Sequence, residues 1–403
     1  MSRDLTVIVA SRGRPRLLAR CLAALMLQTH PRLEIVLVSD AEGLAVRPDL
    51  PLKRVAFDRP NLSQARNLGI ARAAGRIVAF IDDDAVAEPC WAGALAGAFD
   101  DPQVVAATGP VRGPDGVGWQ ARAEWLTPDG PQPLVDDSAR LWLPRAGGTL
   151  STIGTNCAFL RDSLVAVGGF DPLFAFHLDE SDLNLRLAAT FPRRATAFVP
   201  RAQVAHAAAS GTTRRGGAPA SLAAVGRSEA IFARRHGAGP GWRDRVRARE
   251  RARLVRAMLA GRLDPFHLPR VMATLETGLA EGEALTDIAP VPEEIPWILT
   301  PFSSVEAQTR PHRVLAGWYW RAGRLRAAAA RAASDGALVS LMLWSPGFLP
   351  HRERFAGVYW ERRGGTWGAG APGDPWVVPR RRAERDRALA RLWTATRADE
   401  TPP

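Results

Sequence analysis

RIVAFIDDD, residues 76–84, is the stretch that decides the fold. Ile77 to Ile81 form an apolar run too short for a helix, of the kind a strand buried on both faces produces. Three aspartates then end it, and adjacent carboxylates repel unless a cation or hydrogen-bond donors compensate. The same pattern recurs upstream. Thr6–Ser11 (TVIVAS) and Glu34–Asp40 (EIVLVSD) are apolar runs closing on polar residues, and Leu52–Phe57 is a further candidate strand. Between them, Arg14 to Gln28 sets Leu17, Leu18, Cys21, Leu22, Leu25 and Met26 at helical spacing behind Pro15. Asn61 to Ala74 predicts a second helix with Gly75 as its stop, and Glu88 to Phe99 a third. Strands alternating with helices predict a parallel α/β sheet. Ligands of such sheets gather at the carboxyl ends of strands, where Ser11, Asp40 and Asp82–Asp84 fall.

Further along, residues 110–150 are rich in Pro, Gly and Trp and predict irregular chain with short strands. Order returns at Gly154–Gly169, and Asp179 to Ala189 reads as a helix. The small residues of 207–220 predict a mobile loop. Residues 221–285 are helical and charged, and Ala289–Pro301 is a linker candidate. From about 305 the α/β alternation restarts, with strands at Val314–Trp320, Leu338–Trp344 and Phe355–Trp360 and helices at 322–333 and 380–396. The expected domains are 1–237, 238–304 and 305–403.

The chain has 403 residues, 53 basic and 41 acidic, for a net charge of +12. Residues 1–210 hold 22 of each sign, so the whole excess lies in the second half. All basic residues but Lys53 are arginine; codon bias accounts for this more readily than function, because alanine runs such as Ala327–Ala330 accompany it. Cys21, Cys90 and Cys157 are far apart and form no CxxC pair, which argues against a thiolate zinc site and a disulfide scaffold and fits a reducing compartment. The apolar run near the N-terminus is too short for a signal-peptide core, and Ala337–Pro350 falls short of a membrane span. A cytoplasmic protein is expected, with the inner face of the membrane as a further location.

Read in order, TVIVASRGRP, LEIVLVSD, NLSQARNLGIARAAGRIVAFIDDDAVAEPCW and GTNCAFLRDSLVAVGGFDPLFAFHLDESDLNLRL resemble the family-two glycosyltransferases of the GT-A fold. The resemblance spans about residues 5–235 and leaves the module from 305 uncovered. It implies an inverting, metal-dependent transfer of a sugar from a nucleotide-diphosphate sugar to an acceptor hydroxyl of a glycan or lipid-linked acceptor, in polysaccharide or glycoconjugate synthesis. The implied cofactor is Mn or Mg. On the donor side it points to Ser11, Arg12, Asp40, Arg66 and Asn67, with Asp82 or Asp83 on the ribose. Asp84, Asp82 and His206 match the metal ligands. Gly154, Asn156, Gly169 and Asp182 fall on the acceptor side.

Where relatives carry Glu-Asp-x-Asp-Leu, this chain reads Asp179-Glu180-Ser181-Asp182-Leu183. The acid order is swapped. Glu180 is the expected general base, or Asp179 if the loop shifts by one residue. Structural roles stand beside several of these assignments: a turn cap for Asp40, helix caps for Asp179 and Glu180, an ion pair for Arg66, and a bonded core imidazole for His206. Arg214 and Arg215 suit a diphosphate or plain solvent equally.

Two features fall outside the resemblance. Arg243–Arg262 is an arginine-rich helix that could lie on anionic lipid, or pack its apolar side on the catalytic domain. Eight of thirteen tryptophans fall between Trp297 and Trp393, as core or as sugar-stacking surface. Two other functions fit the sequence: a nucleotidyltransferase, and a non-catalytic adaptor for membrane or nucleic acid built on a degenerate first domain. Nucleic-acid binding is disfavoured, because the α/β half is electrically neutral. Gly368-x-Gly370-x-x-Gly373 matches a dinucleotide fingerprint only as a string, and reads as a loop.

Overall fold

The computed structural model describes residues 3–134, 138–207, 214–215, 218–290, 300–306 and 310–398. The first domain is a three-layer α/β/α unit. In chain order it contains β1 (Leu5–Ser11), α1 (Pro15–Leu25), β2 (Leu33–Ser39), β3 (Lys53–Ala56), α2 (Leu62–Arg72), β4 (Ile77–Asp82), β5 (Ala85–Ala87), α3 (Trp91–Ala98), β6 (Val104–Thr108) and β7 (Val111–Arg112). Then follow β8 (Leu141–Trp142), β9 (Cys157–Leu160), α4 (Asp179–Thr190), β10 (Ala195–Phe198) and β11 (Val204–His206). The central sheet runs β8-β10-β6-β9-β4-β1-β2-β3. Strands β4, β1, β2 and β3 run parallel, with Ala10 opposite Asp82 and Ser11 opposite Ser39, which brings three strand ends to one edge, while β9 runs antiparallel between β4 and β6.

Both faces of that sheet are covered, so its strands are apolar throughout rather than alternating. Val7, Val9, Ile35, Leu37, Ala79 and Ile81 pack with Leu18, Leu22 and Leu25 of α1 and with Trp91 and Leu95 of α3. Ile8, Val36, Val38, Val78 and Phe80 meet Ala65 and Ile70 of α2 and Leu183 and Leu187 of α4 on the opposite face. The α/β expectation is therefore borne out.

Three helices follow: α5 (Ala223–His236), α6 (Trp242–Leu259) and α7 (Leu268–Ala284). They share one core of Val225, Val246, Leu254, Val271, Leu275 and Leu279. Helices α5 and α7 touch backbone to backbone, since a Cβ on Gly278 would lie 1.9 Å from the Ala223 carbonyl oxygen. The boundary drawn at 237/238 thus runs through a continuous helical cluster. Most of the linker candidate lies outside the described residues. Its far end is tied to the first domain, with Thr300 Oγ1 accepting from Lys53 Nζ at 2.7 Å and Val305 bridged to Leu33.

A second α/β unit closes the described chain. It comprises β12 (His312–Trp318), α8 (Ala322–Ser334), β13 (Leu338–Ser345), β14 (Arg352–Phe355), β15 (Trp360–Gly365) and α9 (Arg382–Arg397), with sheet order β12-β13-β15-β14. Ala329 and Ala332 of α8 cover one face, and Leu389 and Trp393 of α9 cover the other. This unit is fastened to the first by a small apolar patch joining Ala24 and Val86 to Leu338, Phe355 and Trp360. A buried ion network adds to it. Arg397 donates from Nε to Glu88 Oε2 at 2.6 Å, from Nη2 to Glu88 Oε1 at 3.0 Å and to Glu353, and from Nη1 to Ser340 Oγ at 2.7 Å.

Three local expectations are corrected. Phe355–Trp360 is a turn, not a strand: Gly357 at φ +92° reverses the chain, and Phe355 pairs with Trp360 across the hairpin. The first strand of this unit ends at Trp318, and residues 319–321 form a single tight helical turn instead. Gly75 is no helix stop. α2 ends at Arg72, and Gly75 lets the chain pass β1 closely, since a Cβ there would lie 2.7 Å from the Thr6 nitrogen. The 207–220 loop lies largely outside the described residues, with Arg214–Arg215 pairing Ala218–Pro219 as a short ladder.

Candidate active site

The end of β4 carries Asp82, and the turn that follows carries Asp83 and Asp84 into β5. Strand β11 runs antiparallel to β5 with His206 opposite Ala85, so the imidazole arrives one residue beyond Asp84. His206 Nε2 lies 3.0 Å from Asp84 Oδ1 and 3.8 Å from Asp82 Oδ2. One ligand atom from each of Asp82, Asp84 and His206 falls within 4.8 Å of the others. Two carboxylate oxygens and an imidazole nitrogen converging in this way form a donor set that fits a hard or borderline divalent cation.

The other ring nitrogen, Nδ1, is within hydrogen-bond reach of the Gln120 amide, at 3.0 Å to Nε2 and 3.2 Å to Oε1. A metal-ligating histidine is ordinarily oriented by such a partner on its second nitrogen. Nothing in the sequence around Gln120 signalled this, because it sits in the irregular stretch 86 residues away.

Asp83 points elsewhere. It is fully buried, accepts from Ser11 Oγ at 2.7 Å and pairs with Arg14 at 2.7 Å. Burial pushes its pKa up to about 6, against the pull of Arg14 and Ser11. Arg14 also reaches Asp84, at 3.7 Å. It was not singled out from the sequence, although it lies two residues beyond Arg12. Arg12 itself pairs with the exposed Asp58 at 2.7 Å. Asp40 caps the turn after β2, accepting from Gly43 N at 2.9 Å and from Gly13 N at 2.7 Å, which fits its structural reading.

The opposite wall comes from α2 and α4. Arg66 is buried, with its guanidinium over the rings of Phe80 and Phe170. It donates to the Gly154 carbonyl at 3.0 Å, pairs with Asp179 and lies 3.6 Å from Asp82. Burial alone would lower its pKa, but Asp179 and Asp82 outweigh that and hold it charged. Glu180 is half-buried beside Asp179, and burial together with the Asp179 carboxylate raises its pKa well above the usual range. Both acids open α4 behind Leu178, whose φ of +62° puts a bulky residue in left-handed backbone. Such strain is costly and collects at functional turns. Gly154 leaves space between the two walls: a Cβ there would lie 3.3 Å from both Arg66 Nη2 and Glu180 Oε2.

The remaining expected residues are brought near but are tied into the scaffold. Asn67 exchanges two hydrogen bonds with the Phe170 backbone, at 2.7 and 2.9 Å, and so fixes the turn that follows Gly168 and Gly169. Those glycines hold φ of +73° and +67°. Asn156 is fully buried, accepting from Trp91 Nε1 at 2.8 Å and donating to the carbonyls of Pro110 and Ala202. Asp182 faces away from the cleft into Arg186, Arg235 and His236. Burial would raise its pKa, yet those donors bring it down to about 2. The side chains of Arg214 and Arg215 lie outside the described residues.

An acidic edge at the strand ends of an α/β sheet, walled by a charged arginine and a carboxylate pair, is where sheets of this kind gather their ligands. Residues 6–168 match the family model described as glycosyl transferase family 2. Asp179, Glu180 and His206 lie beyond the matched residues. The chain is 31% identical over 180 residues to the glucosyl-dolichyl phosphate glucuronosyltransferase of Haloferax volcanii, an alignment covering 42% of this chain and 56% of that protein. It thus spans little more than half the length of that curated relative. Similar solved structures include TarS of S. aureus, at 17% identity and a TM-score of 0.40, covering 57% of this chain and 39% of that one. Another is the mannosyltransferase PcManGT from Pyrobaculum calidifontis in complex with GDP-Man and Mn2+, at 22% identity and a TM-score of 0.39, covering 68% and 69%.

Proposed function

We propose that this chain is an inverting, metal-dependent glycosyltransferase that moves a sugar from a nucleotide-diphosphate sugar to an acceptor hydroxyl in glycoconjugate synthesis. The convergence of Asp82, Asp84 and His206 at the carboxyl edge, facing Arg66 and the Asp179–Glu180 pair, carries this reading. Asp84, Asp82 and His206 would hold Mn or Mg, with Gln120 orienting the imidazole. A divalent cation bound there supplies positive charge to the leaving diphosphate.

The chain's own groups account for the rest. Arg66, kept charged by its neighbours, adds fixed positive charge where negative charge develops. The bond between the anomeric carbon and the diphosphate oxygen breaks as an acceptor hydroxyl attacks from the opposite face. Glu180 takes the hydroxyl proton, and its raised pKa makes it a stronger base than an ordinary carboxylate. No covalent enzyme intermediate is required. Asp83 and Ser11 hold the acidic turn in place from behind. The named activity of the Haloferax relative supports a lipid-linked acceptor.

The test is donor hydrolysis and transfer measured over a panel of nucleotide sugars with and without Mn2+. Release of nucleoside diphosphate that needs the metal, and is lost in Asp84→Ala, is the expected result. Release of pyrophosphate instead would replace this reading with nucleotidyl transfer, and metal-independent activity would remove the cation from it.

A further inference from the structure

Parallel β12, β13 and β15 of the second α/β unit end together, with Trp318 opposite Trp344 and Ser345 opposite Gly365. The loops leaving this carboxyl edge carry large apolar side chains into solvent. Trp376 is 92% exposed, Leu349 64%, Trp320 59% and Phe348 57%, with Tyr319 and Trp367 also exposed. They are clustered rather than scattered. Phe348 and Trp367 pack ring to ring at 5.6 Å, Gly368 bridges Val377, and Trp320 stacks on Trp318 at 4.9 Å. An exposed apolar cluster of this kind marks an interaction surface.

We infer that this edge is a docking surface for an anionic lipid bilayer. Its rim is basic: Arg382 lies over Trp318 at 4.8 Å, and Arg321, Arg380 and Arg381 are exposed and make no ion pair among the described residues. The one acid in these loops, Asp374, is engaged by the backbone of Gly370 and Ala371. Tryptophan, tyrosine and aliphatic side chains ringed by arginine suit the level of lipid headgroups, where rings sit half in hydrocarbon and guanidinium groups meet phosphates. A sugar-binding platform would instead need carboxylates and amides aimed at hydroxyl groups, and this edge offers arginine. The inference is independent of the transferase reading.

It also displaces the arginine-rich helix as the lipid contact. In α6, Arg243 pairs with Glu276 and Glu283, Arg245 with Asp129, Arg247 with Asp244 and Glu276, Arg249 with Glu229, and Arg253 with Glu250. Val246 and Leu254 are spent on the helical core. Among the described residues no helix is long and apolar enough to cross a membrane, so surface adsorption is the mode this edge would serve.

Co-sedimentation of the full chain with vesicles of phosphatidylcholine, alone or mixed with phosphatidylglycerol, tests this. Binding to the mixed vesicles that weakens with salt is expected, with little on phosphatidylcholine alone. The triple variant Phe348→Ser/Trp367→Ser/Trp376→Ser should lower partitioning about ten-fold or more. Arg380→Glu/Arg381→Glu should lower it comparably and flatten the salt dependence. Thermal unfolding should stay unchanged in both, because every altered side chain is exposed. An α6 control, Arg251→Gln/Arg256→Gln, should bind like the parent. A parent that stays in the supernatant, or variants that bind as it does, would overturn the proposal. So would tryptophan fluorescence responding to soluble oligosaccharides while vesicles are ignored, which would mark the edge as a glycan site.

Discussion

The two α/β units of this chain present the same topological feature, the carboxyl edge of a parallel sheet, and furnish it oppositely. In the first, the edge carries Asp40, Asp82, Asp83 and Asp84, each held by a named partner and mostly withdrawn from water. In the second, the edge carries tryptophan, phenylalanine and arginine left exposed. Topology places loops at an edge, but the chemistry of those loops decides what can bind. A buried, preorganised acidic group suits a small charged ligand that must be oriented. An exposed aromatic and basic rim suits a broad, deformable surface.

The largest effect should come from breaking the first edge. Asp84→Ala removes one of the three converging groups proposed to hold the cation, and transfer should fall about a thousand-fold or more, as expected when charge stabilisation at a leaving group is lost. Calorimetric titration with Mn2+ should show the parallel loss of metal affinity. If Mn2+ binds the variant as tightly as the parent, Asp84 is not a ligand and the contrast between the two edges loses its basis.

Glu180→Gln comes next. Loss of a general base lowers kcat about 10²- to 10⁴-fold, and donor KM should change little because Glu180 is assigned to the acceptor hydroxyl. The pH profile sharpens this. Glu180 must be deprotonated to act, so the rate should fall as pH drops through its raised pKa. Asp179→Asn removes a neighbouring negative charge, so the acid limb should move to lower pH. A limb that stays put would point to another group as the base.

Much of this site was legible in the sequence because it is local. Three aspartates after an apolar run, and two acids opening a helix, declare themselves within a few residues. What was illegible is who holds them. Gln120 reaches His206 across 86 positions, and Arg397 reaches Glu88 across 309. Both Asn67 and Asn156 read as ligand-facing on resemblance, yet their amides fasten backbone segments more than forty residues away. A polar side chain's type shows that it needs partners; only the fold shows whether those are ligand or protein. The second edge was opaque for a related reason. Its tryptophans divide between core, such as Trp344 and Trp393, and surface, such as Trp320 and Trp376, and composition does not separate the two.

The third prediction tests whether the two units are one body. Arg397 is the hinge of the ion network between them, and Arg397→Met leaves Glu88 buried without its cation and Glu353 with Arg362 alone. Removing one partner of a buried pair costs about 3–5 kcal/mol, measurable as a lower denaturant midpoint. Glu353 adds a pH signature. Burial would raise its pKa, but Arg397 and Arg362 bring it down to about 2. A depressed folded pKa gives stability that is complete above the unfolded value of about 4.3 and lost as pH falls toward 2. The parent should therefore lose stability across that window more steeply than Arg397→Met. Two separated unfolding transitions in the parent would show instead that the units are not coupled through this network.

The smallest effect expected is also the most local. Gly154→Ala places a methyl group 3.3 Å from both Arg66 Nη2 and Glu180 Oε2, closer than an ordinary contact though short of a clash with backbone. The side chains must give by a few tenths of an ångström. Arg66 is the stiffer of the two, stacked on two phenylalanine rings and paired to Asp179, so Glu180 should be the one displaced. Misplacing a reacting group by so little lowers rate by about several-fold to ten-fold, while stability should shift by about 1 kcal/mol at most. The loss should appear in kcat with a lipid-linked or soluble acceptor and leave metal affinity untouched, because the methyl group lies on the wall opposite Asp84. An equal loss of Mn2+ affinity would mean that the two walls move together, and that the cleft is set by Gly154 rather than by the aspartates at its edge.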